Sequence, residues 1–327
     1  MTLEHSGLKL KIRIIKNEEA VPVKKTFYIR SEMDGLKLHV LLMVPEGKLQ
    51  GIVQICHGMA EHKERYEPFM KKLNDFGFAC VIHDHRGHGK SIRDPKDLGY
   101  FYDTEGKMIV EDAHQITLWM KKQYPELPFY LFGHSMGSLV VRCYLKNYDK
   151  DLDALVVCGS PSENPAVGAG IFLAKSACIL RERQPGRFFH KLAFGGYQKR
   201  LKTGESENAW ISYKEDNVRA YDEHPLDGFM FTNNGFLNLF HLMQQTYSKK
   251  GWHIEHPSLP ILFIAGADDP CIGSKKQYAA AMTFLKKRGY CHVQGTLFLN
   301  RRHEILNEDG VEKVYRVILD FLSCRRI

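Results

Sequence analysis

The stretch from residue 127 to 148, LPFYLFGHSMGSLVVRCYLKNY, constrains the fold of this chain more than any other. Phe129 to Phe132 is a short apolar and aromatic run that reads as a strand buried on both faces. It breaks at Gly133, and from Met136 onward apolar residues recur at helical spacing: Met136, Leu139, Val140, Cys143, Tyr144. Between the two lies Gly133-His134-Ser135-Met136-Gly137, a G-x-S-x-G turn. A strand that turns straight into a helix places its central residue on a tight corner. The flanking glycines are required because a Cβ there would strike neighbouring backbone. Ser135 would project from that corner with a helix N-terminus behind it. The Met136 N–H would then face the space where a carbonyl oxygen becomes an oxyanion. The bare pentapeptide arises by chance in roughly one chain in ten of this length, so its partners elsewhere must decide its meaning.

The flanking text supplies a parallel sheet. Residues 25–44 read as a hairpin around Asp34-Gly35, a favoured tight-turn pair. A buried strand over residues 51–56 ends in His57-Gly58-Met59. A helix over 66–76 leads to a strand over 78–82, then a turn from Asp84 to Ser91. A helix over 108–123 precedes the strand before Ser135, and another short strand spans 153–159. Such alternation of strand and helix predicts an α/β protein with a mostly parallel sheet and helices on both faces. From residue 161 to 257 the alternation stops. Prolines, glycine pairs and aromatics become frequent, with amphipathic segments near 168–181, 187–194 and 234–247. That is too long for a loop, and it predicts a helical cap inserted late in a core made of 1–160 and 258–327. Alternation resumes with strands over 260–266 and 292–299 and helices over 275–288 and 311–323.

A serine hydroxyl is a feeble nucleophile near neutrality and needs a base, itself oriented by an acid. On a parallel sheet the active loops lie beyond the carboxyl ends of the strands. That filter keeps Asp268 and Asp269 after strand 260–266, and His303 after strand 292–299. It also keeps His57, His83, His85 and His88. Nucleophile-elbow hydrolases run serine, acid, histidine along the chain, and only His303 follows a post-strand aspartate that itself follows Ser135. Adjacent side chains point opposite ways, so one of Asp268 and Asp269 must serve elsewhere. The N–H of Met59, ending a neighbouring strand after Gly58, is the natural second oxyanion donor beside that of Met136.

The histidines at 57, 62, 83, 85 and 88 invite a metal reading. No H-x-x-x-H pair joins an acid on one helix, so neither a metal nor another cofactor is expected. Asp84–Ser91 reads instead as a glycine-hinged loop knit by Asp84, Arg86 and Ser91.

Five segments in one order carry a resemblance: HGMAEHKERY (57–66), HDHRGHGKS (83–91), GHSMGS (133–138), IAGADDPC (264–271) and RRHEILNE (301–308). Over about residues 26 to 323 the chain resembles α/β-hydrolases of the monoacylglycerol lipase and lysophospholipase-like branch. The resemblance implies that the acid is the fourth residue of a Gly-x-x-Asp turn, which selects Asp269 after Gly266. It implies a Ser135, Asp269, His303 triad, oxyanion donors at Met59 and Met136, and a cap over the site. The chain departs from the branch at Ala60, where the oxyanion motif often has glycine. The expected activity is hydrolysis of monoacyl lipid esters through an acyl-enzyme on Ser135. A proline-type serine aminopeptidase and an inactive binding protein are the alternatives, while Ser135 excludes the elbow carboxylate of dehalogenases and epoxide hydrolases. Apolar segments at 166–180, 228–231 and 236–243 suit either cap packing or an acyl-chain tunnel.

Charge and cysteine usage bound the remaining possibilities. The net charge of +8 is scattered, with short basic groups at Lys199–Lys202 and Arg325–Arg326. These read as solvated faces, and no aromatic-interleaved basic stripe suggests nucleic acid. Eight cysteines lack a C-x-x-C pair or a framework spacing, which suits a reducing cytosol. Cys271, two residues after Asp269, reads as a packed thiol near the site. The N-terminal residues lack a continuous apolar region, so secretion is not expected, and no stretch approaches the length of a transmembrane span. A cytoplasmic location follows as the expectation. Transient contact of the cap with a membrane surface is compatible with this text, though no basic amphipathic helix is evident in it.

Overall fold

The computed structural model describes residues 23–198 and 205–323. The basic groups at Lys199–Lys202 and Arg325–Arg326, Cys324 and the N-terminal residues 1–22 lie outside the described residues.

Eight strands form one sheet: β1 (Val23–Arg30), β2 (Lys37–Val44), β3 (Gly51–Cys56), β4 (Phe78–His83), β5 (Phe129–His134), β6 (Ala154–Cys158), β7 (Ile261–Gly266) and β8 (Val293–Phe298). Their spatial order is β1-β2-β4-β3-β5-β6-β7-β8. β1 and β2 are antiparallel, as the hairpin reading requires, with Gly35 at φ 73° in the turn. β2 also meets β4 antiparallel, and every pair from β4 to β8 is parallel.

The central strands are buried along their full lengths, and their residues divide between two cores at period two. Phe129 and Leu131 face one layer, with α2 (Met108–Gln123), α3 (Met136–Tyr148) and α8 (Lys275–Arg288). Tyr130 and Phe132 face the other, with α1 (Glu67–Asn74) and α9 (Glu312–Ser323). Helices on both faces explain why the strands are continuous apolar runs rather than alternating ones.

Between β6 and β7 the chain leaves this pattern and forms α4 (Val167–Arg181), α5 (Arg187–Gln198), α6 (Glu215–Glu223) and α7 (Asn233–Tyr247). α7 starts on Thr232, whose hydroxyl accepts the Gly235 N–H. It packs on α3 below and α4 above. The helix α6 had no counterpart among the amphipathic segments read from the sequence, because its short EDNVRAYDE run buries only Val218 and Tyr221. Among the described residues no helix is long and apolar enough to cross a membrane.

Candidate active site

Ser135 sits between β5 and α3 with φ 53° and ψ −117°. For a residue with a Cβ this is a costly backbone, typically by about 1–3 kcal/mol, and it survives only where the surroundings fix it. Here they do. The Ser135 N–H donates to the Cys158 carbonyl at 3.0 Å, and its own carbonyl accepts from the Ser138 N–H at 2.9 Å. The glycines are steric necessities: a Cβ on Gly137 would lie 2.1 Å from the Cys56 carbonyl oxygen, and one on Gly133 2.4 Å from that of Gly137. The corner is therefore wedged between the ends of β3 and β6. As the first residue of α3, Met136 has an N–H without an intrahelical acceptor.

Beyond β3, Gly58 brings its loop against the corner, since a Cβ there would be 3.1 Å from the Ser135 Cβ. Met59 follows, and its N–H has no backbone acceptor among the described residues. Ala60, the departure from the resemblance, has φ 52°. That left-handed conformation is the one glycine adopts without penalty, which is the physical reason glycine suits this position.

Asp269 and His303 meet across the ends of β7 and β8, with Asp269 Oδ2 2.9 Å from His303 Nδ1. Asp269 Oδ1 accepts the Cys271 N–H at 2.8 Å, so both of its oxygens are engaged. Gly266 allows the crossing, because a Cβ there would strike the carbonyls of Arg301 and Arg302. With Nδ1 donating to the carboxylate, His303 Nε2 is left as the basic nitrogen. Its ring packs against Trp210, with centroids 5.0 Å apart, and against His134. Asp268 turns outward, where the Tyr213 hydroxyl donates to it at 3.3 Å.

Ser135, His303, Met59 and Met136 line one cavity of about 460 Å³. Its remaining wall comes largely from the β6–β7 insertion and is mostly apolar, with Val167, Gly170, Phe194, Phe229, Phe240 and Met243 beside polar residues such as Asn164, His190 and Asn208. Cys271 also lines it, with burial pushing its thiol well above the ordinary range.

The other histidines are placed elsewhere. His57 Nε2 accepts the His85 N–H at 2.9 Å while Nδ1 faces the Gly58 carbonyl at 2.8 Å, which fixes a neutral ring. His88 Nε2 accepts the Ala60 N–H, and its Nδ1 faces the Arg86 carbonyl. Burial lowers the pKa of all four histidines on these loops, to about 3 for His83 and His88. The Asp84–Ser91 loop is tied by Asp84 to Lys63 and the Lys90 N–H, by Arg86 to Asp112, and by Ser91 to the His39 N–H.

Two groups of described residues hold potential ligand atoms within 4.8 Å: Asp269, Cys271 and His303, and His62, His224 and Asp227. In the second, the imidazoles of His62 and His224 stack at 11°, so their in-plane lone pairs do not converge on one ion.

Glu61 escaped the sequence reading. Its buried carboxylate accepts the Gly58 N–H and the Tyr66 hydroxyl, with Arg65 Nε at 3.3 Å and His134 Nδ1 at 3.6 Å. Burial alone would raise its pKa, but His134 and Arg65 outweigh that and hold it well below the carboxylate range. Arg65 in turn binds Glu304 and Asp227. The only sequence signal for Glu61 was a charged pair four residues apart, at 61 and 65, within the 57–66 segment.

Comparison with known proteins adds the family. The model described as serine aminopeptidase, S33 matches residues 47–310. A monoglyceride lipase of Rattus norvegicus is 32% identical over 249 residues, covering 75% of this chain and 74% of that one. A monoacylglycerol lipase of Mycolicibacterium smegmatis is 30% identical over 155 residues, 46% of this chain and 52% of that one. Among solved structures, a thermostable carboxyl esterase from Bacillus coagulans superposes with a TM-score of 0.83 at 27% identity, over 93% of this chain and 99% of that one.

Proposed function

The chain belongs to the serine aminopeptidase S33 family and is a carboxylesterase-type serine hydrolase, and on that footing we propose that it hydrolyses monoacyl lipid esters through an acyl-enzyme on Ser135. One arrangement supports this above all: the Ser135 corner and His303, which is held by buried Asp269, open into the same cavity, whose wall is mostly apolar.

In this reading His303 Nε2 takes the Ser135 proton as Oγ attacks the ester carbonyl carbon. The N–H groups of Met59 and Met136 hold the resulting oxyanion. Collapse expels the alcohol, which leaves with the proton from His303, and the acyl group stays on Ser135. Water then attacks with His303 again as base, and the acid product is released. Asp269 keeps the ring in its Nδ1–H tautomer and stabilises the imidazolium in each half-reaction. Residues 161–257 act as a cap that supplies the acyl-chain wall.

An aminopeptidase would need a free anion in the cavity for the substrate ammonium. Of the three acids in its wall, Glu61 and Glu304 pair with Arg65 and Glu163 is exposed to solvent, so none of them is both buried and unpaired, which favours an ester. The test is a substrate series: p-nitrophenyl acetate, octanoate and laurate, a long-chain monoacylglycerol, a lysophospholipid and a proline p-nitroanilide. Preference for the longer acyl chains is expected. Turnover of the anilide above all esters would replace this reading with the peptidase.

A further inference from the structure

Both chain neighbours of His303 are held by the β6–β7 insertion. Its short turn Ala209–Ile211 lies against the loop that carries the histidine. The Glu304 N–H donates to the Ile211 carbonyl at 2.7 Å. Arg302 Nη1 donates to the Ala209 carbonyl at 2.6 Å, with the Ser212 carbonyl at 3.4 Å. Glu308 adds a further tie, since its Oε1 accepts the Tyr213 N–H and the Arg302 N–H, each at 3.0 Å. The Arg302 guanidinium also lies over the Tyr213 ring, 4.2 Å from its centroid. Ala209 and Ile211 are buried, so these hydrogen bonds are shielded from water and costly to leave unmade. With residues 209 and 211 tied to 302 and 304, Trp210 faces His303 residue for residue.

The hydrogen bond from His303 Nδ1 to Asp269 leaves the imidazole one motion, a tilt about the line joining the two atoms. Packing against the ring is what stops it. His134 approaches from the β5 end at 4.6 Å between centroids, and Trp210 from the insertion at 5.0 Å. Gly159 comes as near as a missing side chain permits, since a Cβ there would lie 3.1 Å from His303 Cε1. Trp210 is itself held by two rings of α5: Phe194 stacks on it at 5.8 Å and 24°, and Tyr197 lies at 5.2 Å. The half-buried indole thus joins α5 to the candidate base, and it also lines the cavity. Two roles are open to such a residue, and they differ in consequence. A wall residue matters only to substrates long enough to reach it. A residue that fixes the base matters to every substrate, the shortest included. The residue-for-residue register of 209–211 on 302–304 favours the second, because lining a wall requires no such register.

We propose that Trp210 is a positioning residue for the base, seated by the 209–211 turn so that His303 Nε2 stays directed at Ser135. Its effect on turnover rests on the ester-hydrolase reading above, but its hold on the ring does not, so the two are measured separately. Trp210→Leu and Trp210→Phe are compared with the parent in the full chain. Leucine keeps apolar bulk without a flat ring, and phenylalanine keeps the ring. On p-nitrophenyl acetate, octanoate and laurate, Trp210→Leu should lower kcat by about 10²-fold for all three, the scale of a misplaced reacting group. KM for the acetate should stay within about threefold. Trp210→Phe should recover most of the loss. The second readout needs no turnover: the low-field proton resonance of the Asp269–His303 hydrogen bond, identified by its absence in His303→Gln. It should be sharp in the parent and in Trp210→Phe, and broadened away in Trp210→Leu. Arg302→Met frees the turn and leaves the indole in place, which keeps the test decisive should Trp210→Leu not fold. It should broaden the same resonance and lower kcat on the acetate by at least about tenfold. A folded Trp210→Leu that hydrolyses acetate at the parent rate and loses only the longer esters would assign the indole to the wall and overturn the proposal. An unaltered resonance in Arg302→Met and in folded Trp210→Leu would overturn it too. A parent without ester turnover, whose resonance still responds as described, would sink the hydrolase reading alone.

Discussion

Asp269 Oδ2 lies 2.9 Å from His303 Nδ1 with the two residues only 2% and 3% exposed. A carboxylate and an imidazole so placed are shielded from water, and the proton between them fixes which ring nitrogen can act as a base. Asp269→Asn would put an amide opposite Nδ1 and favour the wrong tautomer. The expected loss in kcat on p-nitrophenyl butyrate is about 10⁴-fold. Asp268→Asn, on the exposed neighbour, should change kcat less than about threefold. Equal effects at the two positions would remove Asp269 from the mechanism.

Glu61 controls the loop rather than the reacting atoms. Its carboxylate holds the Gly58 N–H immediately before Met59. Glu61→Ala should therefore lower kcat by about 10²–10³-fold, the usual cost of losing one oxyanion donor. KM should stay within about threefold, since the apolar wall is untouched. Glu61→Gln retains a carbonyl acceptor and should recover at least part of the loss. A change confined to KM would contradict this role.

Stability should fall on acidification from near pH 6.5. His57, His83, His85 and His88 are held neutral by burial, so their folded pKa values lie below the unfolded value. Below pH 6.5 the unfolded chain takes up protons that the folded one does not, and stability is lost by up to about 1.4 kcal/mol per pH unit for each ring. His134 has the opposite sign: burial lowers its pKa, but Glu61 outweighs this and raises it. Its contribution is complete below pH 6.5 and fades as pH rises through the folded value. Urea melts at pH 7.5, 6.5 and 5.5 check this, and equal midpoints at 6.5 and 5.5 would contradict it.

Two glycines in helices should respond in opposite ways. Gly137→Ala improves helix propensity, yet its Cβ would lie 2.1 Å from the Cys56 carbonyl. The backbone cannot yield there, so a loss of several kcal/mol, about the scale of severe core disruption, is expected. Gly168 on α4 has no neighbour within 4 Å of its built Cβ, and Gly168→Ala should stabilise by about 0.5–1 kcal/mol. Thermal melts of the pair decide the matter.

Much of this arrangement is legible in the chain because it is local. Buried strands announce themselves as short apolar runs, and Gly133 and Gly137 mark a corner that only glycine permits. Placing Asp269 and His303 needed the rule that active loops follow strands and the serine, acid, histidine order along the chain, with the five-segment resemblance choosing between Asp268 and Asp269. Glu61, Arg65, Glu304 and Asp227 were not legible, since their pairing joins residues up to 239 positions apart and no periodicity records it.

The most direct measurement is to treat the protein with a fluorophosphonate and locate the adduct by mass spectrometry while following ester turnover. One phosphonyl group per chain is expected, on Ser135, with activity lost in step. Ser135→Ala should take up no label, and its turnover should fall by up to about 10⁶-fold. An adduct on another residue, or a Ser135→Ala variant that hydrolyses esters at near wild-type rate, would contradict Ser135 as the nucleophile.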